Sequence, residues 1–193
     1  MKTFFGYKTG MTQVWTKSGL RLPVTVIQAA PMTVSQLKSE EKDGYTAVQV
    51  EIGKQKKEIR LSQEPENKVG DSITVDQIFQ LGDMVKVIGV TKGRGFAGVI
   101  KRWGFKGGPK THGQSDRWRA PGSIGQGTSP GRVHKGKRMA GRYGNATQTV
   151  KNLQIVNILP ETNQIWINGP IPGSNTSLVE IEVIKEAKFE GLR

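Results

Sequence analysis

Residues 92–142 read KGRGFAGVIKRWGFKGGPKTHGQSDRWRAPGSIGQGTSPGRVHKGKRMAGR, and no segment of this kind can close around a core of its own. Its 51 residues hold thirteen Lys or Arg, thirteen glycines, three prolines and one acid, Asp116. Val99, Ile100, Ile124 and Val133 are its only Val, Ile or Leu side chains. Ordering one residue costs about 1–2 kcal/mol, while burying one aliphatic side chain returns about 1.5–3 kcal/mol. Four such side chains cannot hold a segment of this length in place. Either it stays mobile or a polyanion supplies the missing free energy. The segment carries a net charge of +12 and the whole chain +13, so the rest of the molecule is close to neutral. With a sequence pI near 10.1 the expected partner is anionic, and nucleic acid is favoured over a membrane surface.

The sequence on either side has a different grain. Apolar and polar residues alternate with a period of two, as in half-buried strands. Short strands are expected at 3–8, 11–15, 22–27, 33–37, 45–52, 72–75 and 84–91. Pro23 marks the third as an edge strand or strand start. Val48, Val50 and Ile52 share one face of the fifth. Asp76 is placed to cap a single helical turn running to Phe79. Residues 54–68 are polar, without a periodic apolar face, and read as an exposed connection. The β pattern resumes at 147–158, 164–167 and 178–184, with a turn at 160–163 and a rigid bend at 169–173, GPIPG.

Strands on both sides of one long insertion predict a mainly β chain. The expected architecture is a closed or nearly closed β-barrel made from 1–91 and 143–193. The basic segment 92–142 leaves that body and returns to it, and a loop so far beyond 12–15 residues is functional or disordered. No run of 18 apolar residues marks a membrane span. Cysteine is absent, so disulfides, thiolate metal sites and cysteine nucleophiles are excluded. The opening MKTFFGYKTGMT turns polar after five residues and lacks the features of a secretory or transit signal, so the expected compartment is the cytoplasm.

Within the basic segment, Gly93, Gly95 and Gly98 match G-x-G-x-x-G. A dinucleotide site would need a long helix next, and Gly104, Gly107, Gly108 and Pro109 stop one. The stretch reads instead as a flexible entry to a short basic helix over 96–103, with Lys101 and Arg102 near its C-terminal end, able to lie against phosphates. Trp103, Phe105 and Trp118 interleave with Lys101, Arg102, Lys106, Lys110, Arg117 and Arg119. Rings beside cations suit RNA, where they stack on exposed bases while guanidinium groups reach phosphates. Trp103 and Phe105 would equally serve to dock the root of the segment, and both readings stand. His112 and His134, the only histidines, have too few companions for a zinc site and no carboxylate but Asp116 for acid–base work. Packing or hydrogen bonding to RNA is the role left to them. No metal, cofactor or catalytic residue is expected. Residues 122–131, GSIGQGTSPG, carry no charge between two basic blocks: the tip of a finger held by its sides, or a plain flexible turn.

Residues 91–103, TKGRGFAGVIKRW, resemble the signature of the universal large-subunit ribosomal protein L-three family, bacterial type. GYKTGMTQV at 6–14, PGSIGQGTSPG at 121–131, VHKGKRMAGRYG at 133–144 and the 169–173 bend agree with that family, in order and over almost the whole chain. The resemblance implies a translation-protein-type β-barrel with a long central extension buried in large-subunit ribosomal RNA (rRNA). It implies direct binding near the RNA's 3′ end, an early role in subunit assembly, and an extension tip close to the peptidyl-transferase centre. Carried onto this sequence, the tip is Gln126, Gly127, Thr128 and Ser129. The basic flanks, 92–110 and 132–142, add Lys92, Arg94, Arg132, His134, Lys135, Lys137, Arg138 and Arg142 to the rRNA-binding candidates above. In some members a tip glutamine is methylated; the matching position here is Thr128, so that modification is expected to be absent.

The expected protein is therefore a non-enzymatic constituent of the large ribosomal subunit. Its partners would be rRNA and neighbouring ribosomal proteins, with no small-molecule substrate and no membrane. An RNA-modifying enzyme would need a cofactor pocket and an acid–base pair. A barrel-type translation factor would bind the ribosome reversibly.

Overall fold

Period-two alternation in the flanks is realised as strands. The computed structural model describes residues 2–63, 65 and 67–186; positions 1, 64 and 66, and the end of the second barrel segment at 187–193, lie outside the described residues. In chain order the strands are β1 (Thr3–Trp15), β2 (Arg21–Gln28), β3 (Met32–Lys38), β4 (Ala47–Ile52), β5 (Gln55–Arg60), β6 (Ser72–Ile73) and β7 (Met84–Val90). Then come β8 (Phe96–Ala97) and β9 (Gly141–Arg142) inside the basic segment, followed by β10 (Thr147–Leu159), β11 (Gln164–Asn168) and β12 (Leu178–Lys185). Two short helices are α1 (Glu40–Asp43) and α2 (Val99–Trp103). The chain divides into two compact units, Met1–Thr91 with Thr147–Arg193, and Lys92–Ala146.

In the first unit, six antiparallel strands close a barrel in the order β1-β12-β7-β10-β11-β2. Closure removes the unpaired edges that an open sheet exposes. Inward side chains meet across the ladder: Phe4 stands opposite Ile181, and Ile181 opposite Val87. These three are fully buried with Ile155, Ile165 and Ile167. The remaining strands form a second, open sheet in the order β5-β4-β3-β6. Val34, Val48, Val50, Ile52, Ile59 and Ile73 from that sheet join the barrel side chains in one core, where the Phe79 ring meets Phe4 edge-on at 6.3 Å between centroids.

Several sequence expectations need correction. The strands expected at 3–8 and 11–15 are one strand, β1, continuous through a bulge between Lys8 and Gly10. The polar connection at 54–68 contains β5, which pairs with β4 along its length; only Ile59 of β5 is buried, so no periodic apolar face announced it. Residues 33–60 contribute to the second sheet rather than to the barrel. The helical turn is a 3-10 turn over Val75–Gln77, preceded by Thr74, whose amide donates to Gln77 Oε1 at 3.2 Å; Asp76 lies inside it rather than capping it. The basic helix occupies only Val99–Trp103 because Phe96 and Ala97 are in β8.

Pro23 falls near the start of β2, just before the stretch Val24–Gln28 that is paired on both sides, in keeping with an edge or strand-start proline. β11 ends at Asn168 opposite Val24, and the next amide, Gly169 N, donates to Pro23 O at 2.8 Å. The return bond from position 23 cannot form because proline has no N–H. Buried Thr25 takes its place, its Oγ1 donating to Gly169 O at 2.7 Å. Gly6, in the 6–14 motif, is required by close approach: a Cβ there would lie 2.6 Å from Ile27 Cγ2 and 2.9 Å from Gln28 O.

Candidate nucleic-acid interface

The basic segment lies in the second unit, which begins as a narrow ladder. Arg94 N donates to Tyr143 O at 2.8 Å and Tyr143 N to Gly95 O at 2.9 Å. β8 and β9 continue the pairing, Phe96 opposite Arg142 and Ala97 opposite Gly141. The Arg94 guanidinium lies 4.8 Å from the Tyr143 ring centre. At the base of this ladder Gly144 has φ +71°, and a Cβ there would run into the Lys92 carbonyl. Only glycine takes that conformation beside another backbone at little cost.

α2 starts after Gly98 and ends at Gly104, whose left-handed backbone (φ 73°) returns its amide to Ile100 O. From its last turn Arg102 Nη1 and Trp103 Nε1 both donate to the carbonyl of Met139, each at 2.9 Å. One carbonyl on the returning limb thereby holds two side chains of the outgoing limb. The Trp103 ring has Arg102 at 4.9 Å and Arg138 at 5.5 Å from its centre. Further out, Gly108 N donates to Trp118 O at 2.8 Å, and Lys110 Nζ lies 4.7 Å from the Trp118 ring centre. Near the tip, Gly131 N donates to Gly127 O at 3.2 Å and Ser123 Oγ to Gly125 O at 3.0 Å.

The residues singled out from sequence all fall in this unit. Lys92 and Arg94 are at its root, Lys101, Arg102 and Trp103 on α2, and Arg142 on β9. Lys106, Lys110, His112, Arg117, Trp118 and Arg119 follow on the outgoing limb, and Arg132, His134, Lys135, Lys137 and Arg138 lie on the return. Gln126, Gly127, Thr128 and Ser129 sit between the limbs. Every one of these is exposed except Arg102, which is half-buried. Trp103 makes its described contacts with Arg102, Arg138 and Met139 of the same unit.

Burial is almost confined to Ala97 and Val99, and Phe96 is 79% exposed. The ion pairs among described residues, Lys38–Glu58, Lys56–Glu51 and Lys86–Glu182, are all in the first unit, and none involves the thirteen cations of 92–142. A guanidinium lying over a ring keeps its N–H edges available for phosphate. Asp116 accepts from the Ser115 hydroxyl at 3.4 Å. No three His, Asp or Glu side chains among the described residues are grouped to hold a metal ion. No helix of the described residues is long and apolar enough to cross a membrane. Residue type and position do not single out two parts of the arrangement. Tyr143 lies in the motif at 133–144 but one residue past the basic segment, although a ring in an RYG motif is a usable signal. The Met139 carbonyl acts through backbone and leaves no trace in residue type.

The similarity to known proteins runs through both units. The family model described as Ribosomal protein L3 matches residues 23–166. The large ribosomal subunit protein uL3 of Herpetosiphon aurantiacus is 48% identical, over 91% of this chain and 93% of its own. The uL3 protein of Chloroherpeton thalassium is 45% identical, over 96% of this chain and all of its own. That of Syntrophobacter fumaroxidans is 40% identical, over 97% of this chain and all of its own. With a mainly β body interrupted by a basic, glycine-rich segment, and with identity of this extent, the chain belongs to the ribosomal protein L3 family.

Proposed function

We propose that the chain is a structural, non-catalytic constituent of the large ribosomal subunit in the cytoplasm. Residues 1–91 and 143–193 form its body, and 92–142 form a finger that binds large-subunit rRNA. Binding near the 3′ end of that RNA helps to nucleate subunit assembly, and Gln126 to Ser129 reach toward the peptidyl-transferase centre. Neighbouring large-subunit proteins complete its surroundings. The observation that carries the reading is a segment with thirteen cations, none ion-paired with a described residue, and almost nothing buried. Phosphates supply the counter-charge and enclosure that the chain lacks.

Hydrogen exchange on the full chain, alone and in complex with large-subunit rRNA, tests this. Amides from 104 to 138 should exchange freely in the protein alone and become protected with RNA. Equal protection in the free protein would mean that the segment is held by the chain itself, and the reading would fall. Against the reversible-factor reading, the protein should stay with purified large subunits through a high-salt wash.

A further inference from the structure

β1 and β2 outrun the barrel. β12 accompanies β1 only from Thr3 to Tyr7, and β11 accompanies β2 only from Val24 to Gln28. Gln13–Trp15 and Arg21–Pro23, with the turn between them, therefore project as a two-stranded ribbon beyond the β12 and β11 ladders. Such ribbons are marginal in water when unsupported, yet the turn here is closely built. Thr16 N donates to Leu20 O at 2.9 Å, Leu20 N donates back to Thr16 Oγ1 at 3.0 Å, and Gly19 N donates to Thr16 O at 2.9 Å. The Thr16 side chain is buried in its own turn and meets the Ser18 hydroxyl at 2.8 Å.

The two faces of the ribbon differ. Val14 and Leu22 stand opposite each other on one and are half-buried. On the other, Met11, Gln13 and Trp15 of β1 stand with Pro23 and Arg21 of β2, Trp15 directly opposite Arg21, and all five are exposed. Trp15 is 50% exposed. Trp103 and Trp118 hold cations against their rings, and Trp166 Nε1 donates to Gln164 Oε1 at 3.4 Å. Trp15 alone of the four tryptophans has no side-chain hydrogen bond or ring contact with a described residue, and the side chains of Lys17 and Arg21 have no partner there either. No acid precedes Glu40, while Lys2, Lys8, Lys17, Arg21 and Lys38 do.

We propose that this ribbon is a second RNA-contacting arm, distinct from 92–142. Trp15 stacks on an unpaired base of large-subunit rRNA, and Lys17 and Arg21 contact the flanking phosphates. The proposal rests on the reading of the chain as an rRNA binder. Charge favours RNA as the occupant: Lys17, two residues beyond Trp15, and Arg21, opposite it, are ion-paired with no described residue, and residues 1–39 hold no acid. A free aromatic face between cations is what base stacking with phosphate contact requires.

The test uses the full chain and transcribed large-subunit rRNA, with affinity and nucleotide footprint read in parallel. Trp15→Ala should weaken binding about 5- to 150-fold, the range for one lost base–aromatic stack, and Trp15→Phe should keep most of it. Arg21→Ala, at an exposed site where folding is not at stake, should lower the log–log salt slope by about 0.7–0.9. Both should expose one patch of RNA that variants within 92–142 leave protected. Wild-type affinity, slope and footprint in Trp15→Ala and Arg21→Ala would overturn the proposal. So would loss of a neighbouring protein from reconstituted subunits with RNA binding intact, which would make the ribbon a protein contact. Failure of the wild-type chain to bind the RNA at all would instead sink the functional reading.

Discussion

Lys135, Lys137 and Arg138 lie within four positions of one another on the returning limb, are exposed, and are ion-paired with no described residue. Replacing all three by Ala should change how rRNA binding responds to salt. Each phosphate neutralised contributes about 0.7–0.9 to the slope of log K against log salt. Three lost contacts lower that slope by about 2–2.7. Between 50 and 200 mM KCl, a fourfold change, wild-type affinity should therefore fall about 20–40-fold more than that of the variant. Arg138 also lies over Trp103 at 5.5 Å, and losing that contact costs about 0.5–1 kcal/mol. This second effect shifts affinity at every salt concentration and leaves the slope alone. An Arg138→Lys companion variant should restore the slope and only part of the intercept. The assay is a fluorescence-anisotropy titration of labelled rRNA across the salt series. Parallel plots for wild type and triple variant would refute the placing of these three residues on phosphates.

Other consequences are open to direct measurement. Thr25→Val removes the hydroxyl that serves Gly169 O beside Pro23 and should cost about 1–3 kcal/mol, the penalty of a buried carbonyl left without its donor; an unchanged urea midpoint would contradict it. Gly144→Ala should lose more than the about 1–2 kcal/mol of a left-handed backbone, since its Cβ would also meet the Lys92 carbonyl, deprotecting the Arg94 and Tyr143 amides without lowering the melting temperature of the barrel. Burial, then the Glu182 charge, raises the Glu180 carboxyl above its usual range against the opposing pull of Lys86 and Lys57. Stability tied to Glu180 is thus lost as pH rises from the unfolded value through the folded one. Glu180→Gln should melt higher than wild type at pH 7, with the gap closing near pH 4; a gap independent of pH would exclude this cause. Glu58 runs the other way, since Lys38 and then Tyr45 hydrogen-bond its carboxylate and lower it. Its contribution should be present at neutral pH and vanish as acid titrates the folded group, an effect absent in Glu58→Gln.

The mainly β architecture was legible because side-chain alternation survives in the residues that fill the core. Val48, Val50 and Ile52 announce β4, and all three are buried. β5 was silent because an edge strand over a small sheet needs one inward anchor, Ile59, and covers its other positions with Lys, Gln and Glu. Such charges protect an edge from pairing with another chain, which also erases the pattern by which strands are read. Pro23 marked the start of β2, but sequence shows only its missing N–H and not the Thr25 hydroxyl that serves the orphaned carbonyl. In the basic segment, composition reveals where charge gathers. It cannot reveal that Met139 O takes both Arg102 and Trp103, since backbone carbonyls are common to every residue. Nor did the motif at 6–14 say that its strand would outrun the neighbours, because strand length relative to partners is a property of the whole sheet.

Val90 and Thr147 are paired partners on adjacent barrel strands, so for the barrel everything from Lys92 to Ala146 is one hairpin turn. The entropy of closing a loop grows only with the logarithm of its length, about 0.6 kcal/mol per doubling. Its body thus scarcely registers how much chain hangs from that turn. By loop entropy alone, insertions and deletions beyond the root should cost the barrel little. The same topology suits protein engineering: a two-residue turn grafted between Thr91 and Thr147 should leave a barrel that folds and can be compared with the full chain, isolating what the inserted segment contributes.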